Sequence, residues 1–163
     1  MPALDSQTRV NLSVLDRLID LDPSSSHEAA PSRMRSVREL KDALWRDLNA
    51  LLNTRRMEHP FSSDFKECNT SLLVFGLPDF TPLSLRSPDD QQRLGEAIET
   101  AIRTFEPRLS EVSVSPEPRN ELDPILRYRV EAVLDIEPAP EPISFDTVLE
   151  ADTGQFSVTG RRT

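Results

Sequence analysis

The chain has 163 residues, a formal charge of -9 and an isoelectric point near 4.7, with 37% hydrophobic and 6% aromatic residues. That length suits one compact domain with a real core, and the acidic balance argues against broad nucleic-acid binding, which needs a basic face. Cys68 is the 1 cysteine, so no intramolecular disulfide can form; 4 glycines against 14 prolines include no glycine-rich phosphate loop; no apolar run approaches the roughly 20 residues that span a bilayer.

Met1-Pro2-Ala3-Leu4-Asp5 lacks the basic and apolar regions of a secretory signal, so a soluble, cytoplasmic protein without membrane insertion is expected. Residues 1–35 read as an N-terminal arm and linker, and 36–163 as a single domain. In the arm, Val10, Val14, Leu15, Leu18 and Ile19 share one face of a short helix. Such a piece is unstable by itself in water and must dock, either on its own domain or on a partner. Asp22-Pro23-Ser24-Ser25-Ser26 through Ser32 reads as a flexible linker, with His27 solvated.

Ser36 followed by Glu39 is a capping-box pattern that would open a long helix. Val37, Leu40, Leu44, Leu48, Leu51 and Leu52 line its apolar stripe, with Trp45 off the centre as a core residue or an exposed anchor. Arg38–Asp42 and Asp42–Arg46 are four-apart opposite pairs on the wet side. Arg55 and Arg56 follow its end, where they either match the helix dipole or meet an acidic partner. Met57 to Asn69 is polar and irregular; His59 and Cys68 do not supply the roughly four close ligands of a zinc site, and no metal is expected.

After the apolar run Ser71 to Phe75, Gly76 and Pro78 mark an ordered, packed loop through Asp79 and Phe80. Ser87-Pro88-Asp89-Asp90 opens a second long helix with a capping serine, a first-turn proline and two acids at the positive end of the dipole. Leu94, Ile98, Ile102 and Phe105, with Ala97 and Ala101, form its buried face, and Pro107 ends it. Leu109, Val112 and Val114 then begin a strand, so Glu106 and Arg108 flank a rigid bend between two buried elements.

Leu126, Tyr128, Val130, Ala132, Leu134 and Ile136 alternate with mostly polar neighbours, a strand covered on one side. Pro138, Pro140 and Pro142 interrupt the pattern; Ile143, Phe145, Thr147 and Leu149 resume it, and Asp152-Thr153-Gly154 reads as a hairpin turn before Phe156 and Val158. Helices first and strands last argue an α+β fold, with helices packed on one face of a small, mainly antiparallel sheet.

Arg46-Asp47-Leu48 with Leu51-Leu52-Asn53-Thr54-Arg55, then Phe75-Gly76-Leu77-Pro78-Asp79, then Phe105-Glu106-Pro107-Arg108-Leu109 follow one another as in the TssE family. That family belongs to the type VI secretion system baseplate and is similar to the small wedge protein of contractile-phage baseplates. Ser13-Val14-Leu15-Asp16-Arg17-Leu18 also resembles its opening. The chain departs from the family at Phe75 and Val74, where tyrosine and asparagine are common.

The resemblance implies a structural, non-enzymatic wedge subunit with no catalytic residue and no cofactor, assembled near the inner membrane. Its implied partners are the TssF, TssG and TssK subunits and the contractile sheath of TssB and TssC, whose assembly it would template. Partner-binding residues are then expected in the three motifs: Asn53, Thr54 and Arg55; Gly76, Pro78 and Asp79; and Glu106, Pro107 and Arg108, the family's signature. Surface chemistry by itself would make Glu106 and Arg108 an intrachain or solvated pair, worth roughly 0–1 kcal/mol; the resemblance makes them an interface.

Two competing readings remain. A lysozyme-like glycoside hydrolase needs a raised acid in an apolar cleft beside an ionised partner, and nothing in the sequence marks such a pair. A generic adaptor in an unrelated complex would differ only in its partners.

Overall fold

The computed structural model describes residues 13–19, 33–57, 64–84, 86–117, 125–137, 139–150 and 153–160. Val10, the linker with His27, His59, Pro138 and Asp152 lie outside them. Helix α1 (Val14–Leu18) is a single short piece of the arm. Helix α2 (Arg33–Asn53) begins before the expected cap, so Ser36 and Glu39 sit inside it. Arg33, Met34 and Arg35 are good helix formers and extend the helix backwards past the capping pattern. Leu40, Leu44, Leu48, Leu51 and Leu52 are buried along the expected stripe, and each such side chain contributes about 1.5–3 kcal/mol. Trp45 is half-buried and meets Phe145 edge-on at 4.9 Å, so it completes the core.

Helix α3 (Pro88–Phe105) starts as its sequence requires: the Asp90 N–H donates to Ser87 Oγ (3.4 Å) and Pro88 fills the first turn. Its face of Leu94, Ile98, Ala101 and Ile102 is buried. The two long helices cover one face of an antiparallel sheet whose strands follow chain order: β1 (Leu109–Pro116), β2 (Leu126–Leu134), β3 (Glu141–Glu150) and β4 (Gln155–Gly160). Leu126, Tyr128, Val130, Ala132 and Leu134 of β2 face the helices, as their alternation demands.

Strand β1 carries a bulge. Ser110 pairs with Val133 but Ser113 pairs with Glu131, so Glu111 and Val112 together face Ala132. Glu111 takes a φ of 50°, and the extra residue lets Leu109 and Val112 both reach the core despite their spacing. Pro142 does not break the chain between strands; it lies within β3, opposite Val133. Strand β4 pairs with β3 from Phe145 to Glu150, so the side of β3 at Pro142 carries no ladder to interrupt.

Tyr128 is fully buried, its hydroxyl donates to the Gln91 carbonyl (2.9 Å), and burial pushes its ionisation well above the usual range. A raised phenol stabilises the fold below its unfolded value of about 10 and loses that contribution as pH rises further. As the 1 tyrosine in the chain, it gives a clean absorbance signal. Phenolate absorbance is therefore expected to rise together with the loss of circular dichroism, well above pH 10. A titration near pH 10 with the helical signal intact would contradict this burial.

Candidate functional site

The bend after α3 is built from main-chain bonds before any side chain acts. The Glu106 N–H closes the helix on the Ile102 carbonyl (2.9 Å), and the Leu109 N–H returns to the Glu106 carbonyl (3.1 Å). The Asp135 N–H ties the Arg108 carbonyl to the end of β2 (2.9 Å). With Pro107 holding the corner, the Glu106 side chain turns inward and the residue is 4% exposed. A carboxylate so placed must be paired.

Arg108 supplies the pair as a fork: Nε donates to Glu106 Oε1 (2.6 Å) and Nη2 to Oε2 (2.5 Å), while the Arg108 N–H adds a third bond to Oε1 (3.2 Å). Glu106 raises the Arg108 ionisation further above its ordinary value, against the opposing effect of burial and with help from Asp47. Nη2 also donates to Asp47 Oδ2 on α2 (2.7 Å). Asp47 Oδ1 in turn accepts from Arg46 Nε (3.1 Å) and Nη2 (2.9 Å), and Arg46 Nη2 reaches Asp16 Oδ1 of α1 (2.6 Å). A Ser13 hydroxyl bond and then Arg46, against some burial, hold Asp16 below the usual carboxylate range.

Carboxylates and guanidiniums thus alternate from the arm to the bend. On the arm, Val14 and Leu18 are 72% and 75% exposed, and the Arg46–Asp16 ion pair ties α1 to α2. Arg46 uses Asp16 and Asp47 rather than the Asp42 its spacing suggested.

The other two motifs meet each other. The Leu77 N–H donates to the Thr54 carbonyl and the Arg56 N–H to the Leu77 carbonyl, both at 2.9 Å, a short parallel bridge between the end of α2 and the loop. Gly76, with φ 104°, lies so close that an added Cβ would stand 2.3 Å from the Thr54 oxygen. Pro78 follows the fully buried Leu77, and exposed Asp79 accepts from the Thr81 N–H (2.9 Å) and hydroxyl (2.6 Å), which lowers its ionisation.

Arg55 lies over the Phe80 ring at 3.9 Å and donates from Nη2 to the Gly154 carbonyl in the β3–β4 turn (2.9 Å). It therefore holds a loop and a hairpin together. Asn53 bonds the backbone of Phe156 in both directions, each at 2.8 Å. The clasp and the bend adjoin through Phe75 and Phe105, edge-on at 5.2 Å.

Asn53, Thr54, Arg55, Gly76 and Pro78 thus gather where the end of α2 meets the loop, Glu106, Pro107 and Arg108 form the bend, and Asp79 bonds Thr81 within its own turn. Asp16, Arg46 and Asp47 were missed as part of the bend; the adjacent Arg46-Asp47 pair at the head of the first motif was the available signal. Among the described residues, no group of acidic, histidine or cysteine side chains could hold a metal, and no helix is long and apolar enough to cross a membrane.

A family model described as baseplate wedge protein gp25 matches residues 38–139, from α2 to just beyond β2, which takes in Asp47, Glu106 and Arg108 of the bend and Asn53, Arg55 and Gly76, but not Asp16, Gly154 or Phe156. No curated protein matches the chain. The chain belongs to the baseplate wedge protein family, a structural component of phage-like baseplates.

Proposed function

We propose that this baseplate wedge protein is a non-enzymatic subunit of a type VI secretion baseplate, cytoplasmic and assembled near the inner membrane. It joins TssF and TssG, with TssK nearby, to the TssB/TssC sheath. The observation that carries the reading is the state of Arg108. Its Nε and Nη2 are committed to Glu106 and Asp47, yet its side chain keeps 24% of its exposure. Among the described residues, Nη1 has no acceptor. An anchored, partly exposed guanidinium is a preorganised donor for a carboxylate or carbonyl on a neighbouring subunit. Exposed Arg55 and Asp79 and the arm's exposed Val14 and Leu18 supply further contacts.

The sheet supplies the second half of the reading, since main-chain edge groups can accept another chain's strand and start sheath assembly. A hydrolase has less to stand on. Of the carboxylates lining the broad groove between α2 and the sheet, Asp42, Glu111 and Glu131 are exposed and Glu141 is paired with Lys41 (2.7 Å), so none sits in an apolar cleft.

Co-expression with TssF and TssG followed by size-exclusion chromatography tests the assignment. Wild-type chain should co-elute with both. Arg108→Lys, which keeps a charge beside Glu106 but loses the planar fork and Nη1, should remain folded and fall out of the complex by at least about tenfold in capture, as expected for a lost hydrogen bond to a charged group of about 1.5–3 kcal/mol. Undiminished capture of a folded Arg108→Lys variant would remove Arg108 from the interface.

A further inference from the structure

Strand β1 is an edge of the sheet, and what covers it comes from α3 rather than from another strand. The Glu117 N–H donates to the Arg127 carbonyl (2.9 Å). By alternation, the main-chain groups of Ser113 and Ser115 then face β2, and those of Val114 and Pro116 turn off the sheet. Glu99 and Arg103, a four-apart ion pair on α3 (3.0 Å), reach over that edge. The Val114 N–H donates to Glu99 Oε2 (3.1 Å), and Arg103 Nη2 donates to the Val112 carbonyl (2.5 Å). Pro116, the next outward residue, has no N–H to offer.

The strand under that ion pair is suited to pairing with itself. From Val112 to Pro116 it reads Val-Ser-Val-Ser-Pro, uncharged in a chain of formal charge -9. No like charge along those five residues keeps two copies of it apart. Laid antiparallel against a second copy about a two-fold axis, it sets Val114 opposite Val114, where the N–H and carbonyl groups exchange two bonds. Val112 then lies opposite Pro116, and the bulge at Glu111 ends the ladder on one side. Val112 and Val114 are buried on the helix side and would continue the core across the axis, while Ser113 and Ser115 are exposed on the other face. The N–H this pairing needs is the one that Glu99 holds.

We propose that Glu99 and Arg103 are an edge guard that keeps the free subunit from pairing with a second copy of itself. The guard fills the Val114 N–H and the Val112 carbonyl with side chains of the same chain. Without it, two copies join through β1 into one continuous sheet. This is a property of the chain before assembly and does not depend on which baseplate takes it up.

Sedimentation velocity of the full-length chain tests the guard. The double variant Glu99→Ala with Arg103→Ala loses one acid and one base, so its formal charge stays at -9 and altered repulsion cannot explain a dimer. It should self-associate at least about tenfold more tightly than wild type, with the helical circular dichroism unchanged. Amide exchange of that dimer should show new protection over 109–116. Glu99→Gln removes the same charge as Glu99→Ala but keeps an oxygen for the Val114 N–H, so it should stay as monomeric as wild type.

A folded double variant that self-associates no more than wild type overturns the proposal. So does a dimer protected outside 109–116, a wild-type dimer protected over 109–116, or a Glu99→Gln variant that pairs as tightly as the double variant. Where the double variant does not fold, Glu99→Ala and Arg103→Ala are measured singly. At least one must then self-associate more tightly than wild type, and failure of both overturns the proposal.

Discussion

Arg108→Ala is expected to lower the unfolding free energy by about 3–5 kcal/mol, the penalty for leaving a buried carboxylate without its partner. The Glu106 side chain is 6% exposed, and the arginine side chain supplies two of its three bonds from Arg108. Removing the other member should cost less. Glu106→Gln keeps an acceptor for the Arg108 N–H and leaves a neutral group buried, while the guanidinium retains Asp47 and its contact with water. We expect that variant to lose no more than half as much. Urea denaturation of the two variants checks the order, and an Arg108→Ala variant within about 1 kcal/mol of wild type would show that the carboxylate is served by water instead. Because this loss concerns folding, recruitment to the wedge is better read from Arg108→Lys.

Gly76→Ala is expected to destabilise by at least about 3 kcal/mol, from two sources that act together. A side chain at φ 104° is strained by itself, of order 1–3 kcal/mol, and here the new carbon would lie 2.3 Å from a backbone oxygen that cannot swing away. That oxygen is the acceptor for Leu77, so relieving the clash opens the bridge between the end of α2 and the loop. Fully buried Leu77 and nearly buried Phe80 would shift with it, and Arg55 would lose its ring. The melting temperature should fall sharply, and the α2–loop amides should exchange faster than those of β2. A loss under about 1 kcal/mol would mean that the loop can relax around the added methyl.

Local periodicity explains most of what could be read from the sequence. The apolar stripes of α2 and α3, the Ser87 cap, the bend at Pro107 and the alternation of β2 are each set by residues within a few positions of one another. The start of α2 was misplaced because a capping pattern also fits a helix interior when the residues ahead of it favour helix. Nothing in Leu109-Ser110-Glu111-Val112 announces a bulge, since glutamate is a poor residue for positive φ and only pairing with β2 selects it.

Contacts across the chain were the least legible. Asn53 meets Phe156, Arg55 meets Gly154 and Asp47 meets Arg108, all at separations where spacing carries no signal. Those motif residues were identified as important through family resemblance, and the structure gives each a bond within its own fold. Whether a neighbour also contacts them is decided by Arg108, Arg55 and Asp79, which retain exposure, rather than by Gly76 or Glu106.

Asp47 divides its two oxygens between Arg46 and Arg108. Any group that draws Arg108 outward frees one of those oxygens, and Arg46 is the nearest cation able to take it. Through Arg46 the same carboxylate connects the bend to the first helix of the arm. Two side chains, Asp47 and Arg46, thus span more than ninety positions of chain between Asp16 and Arg108.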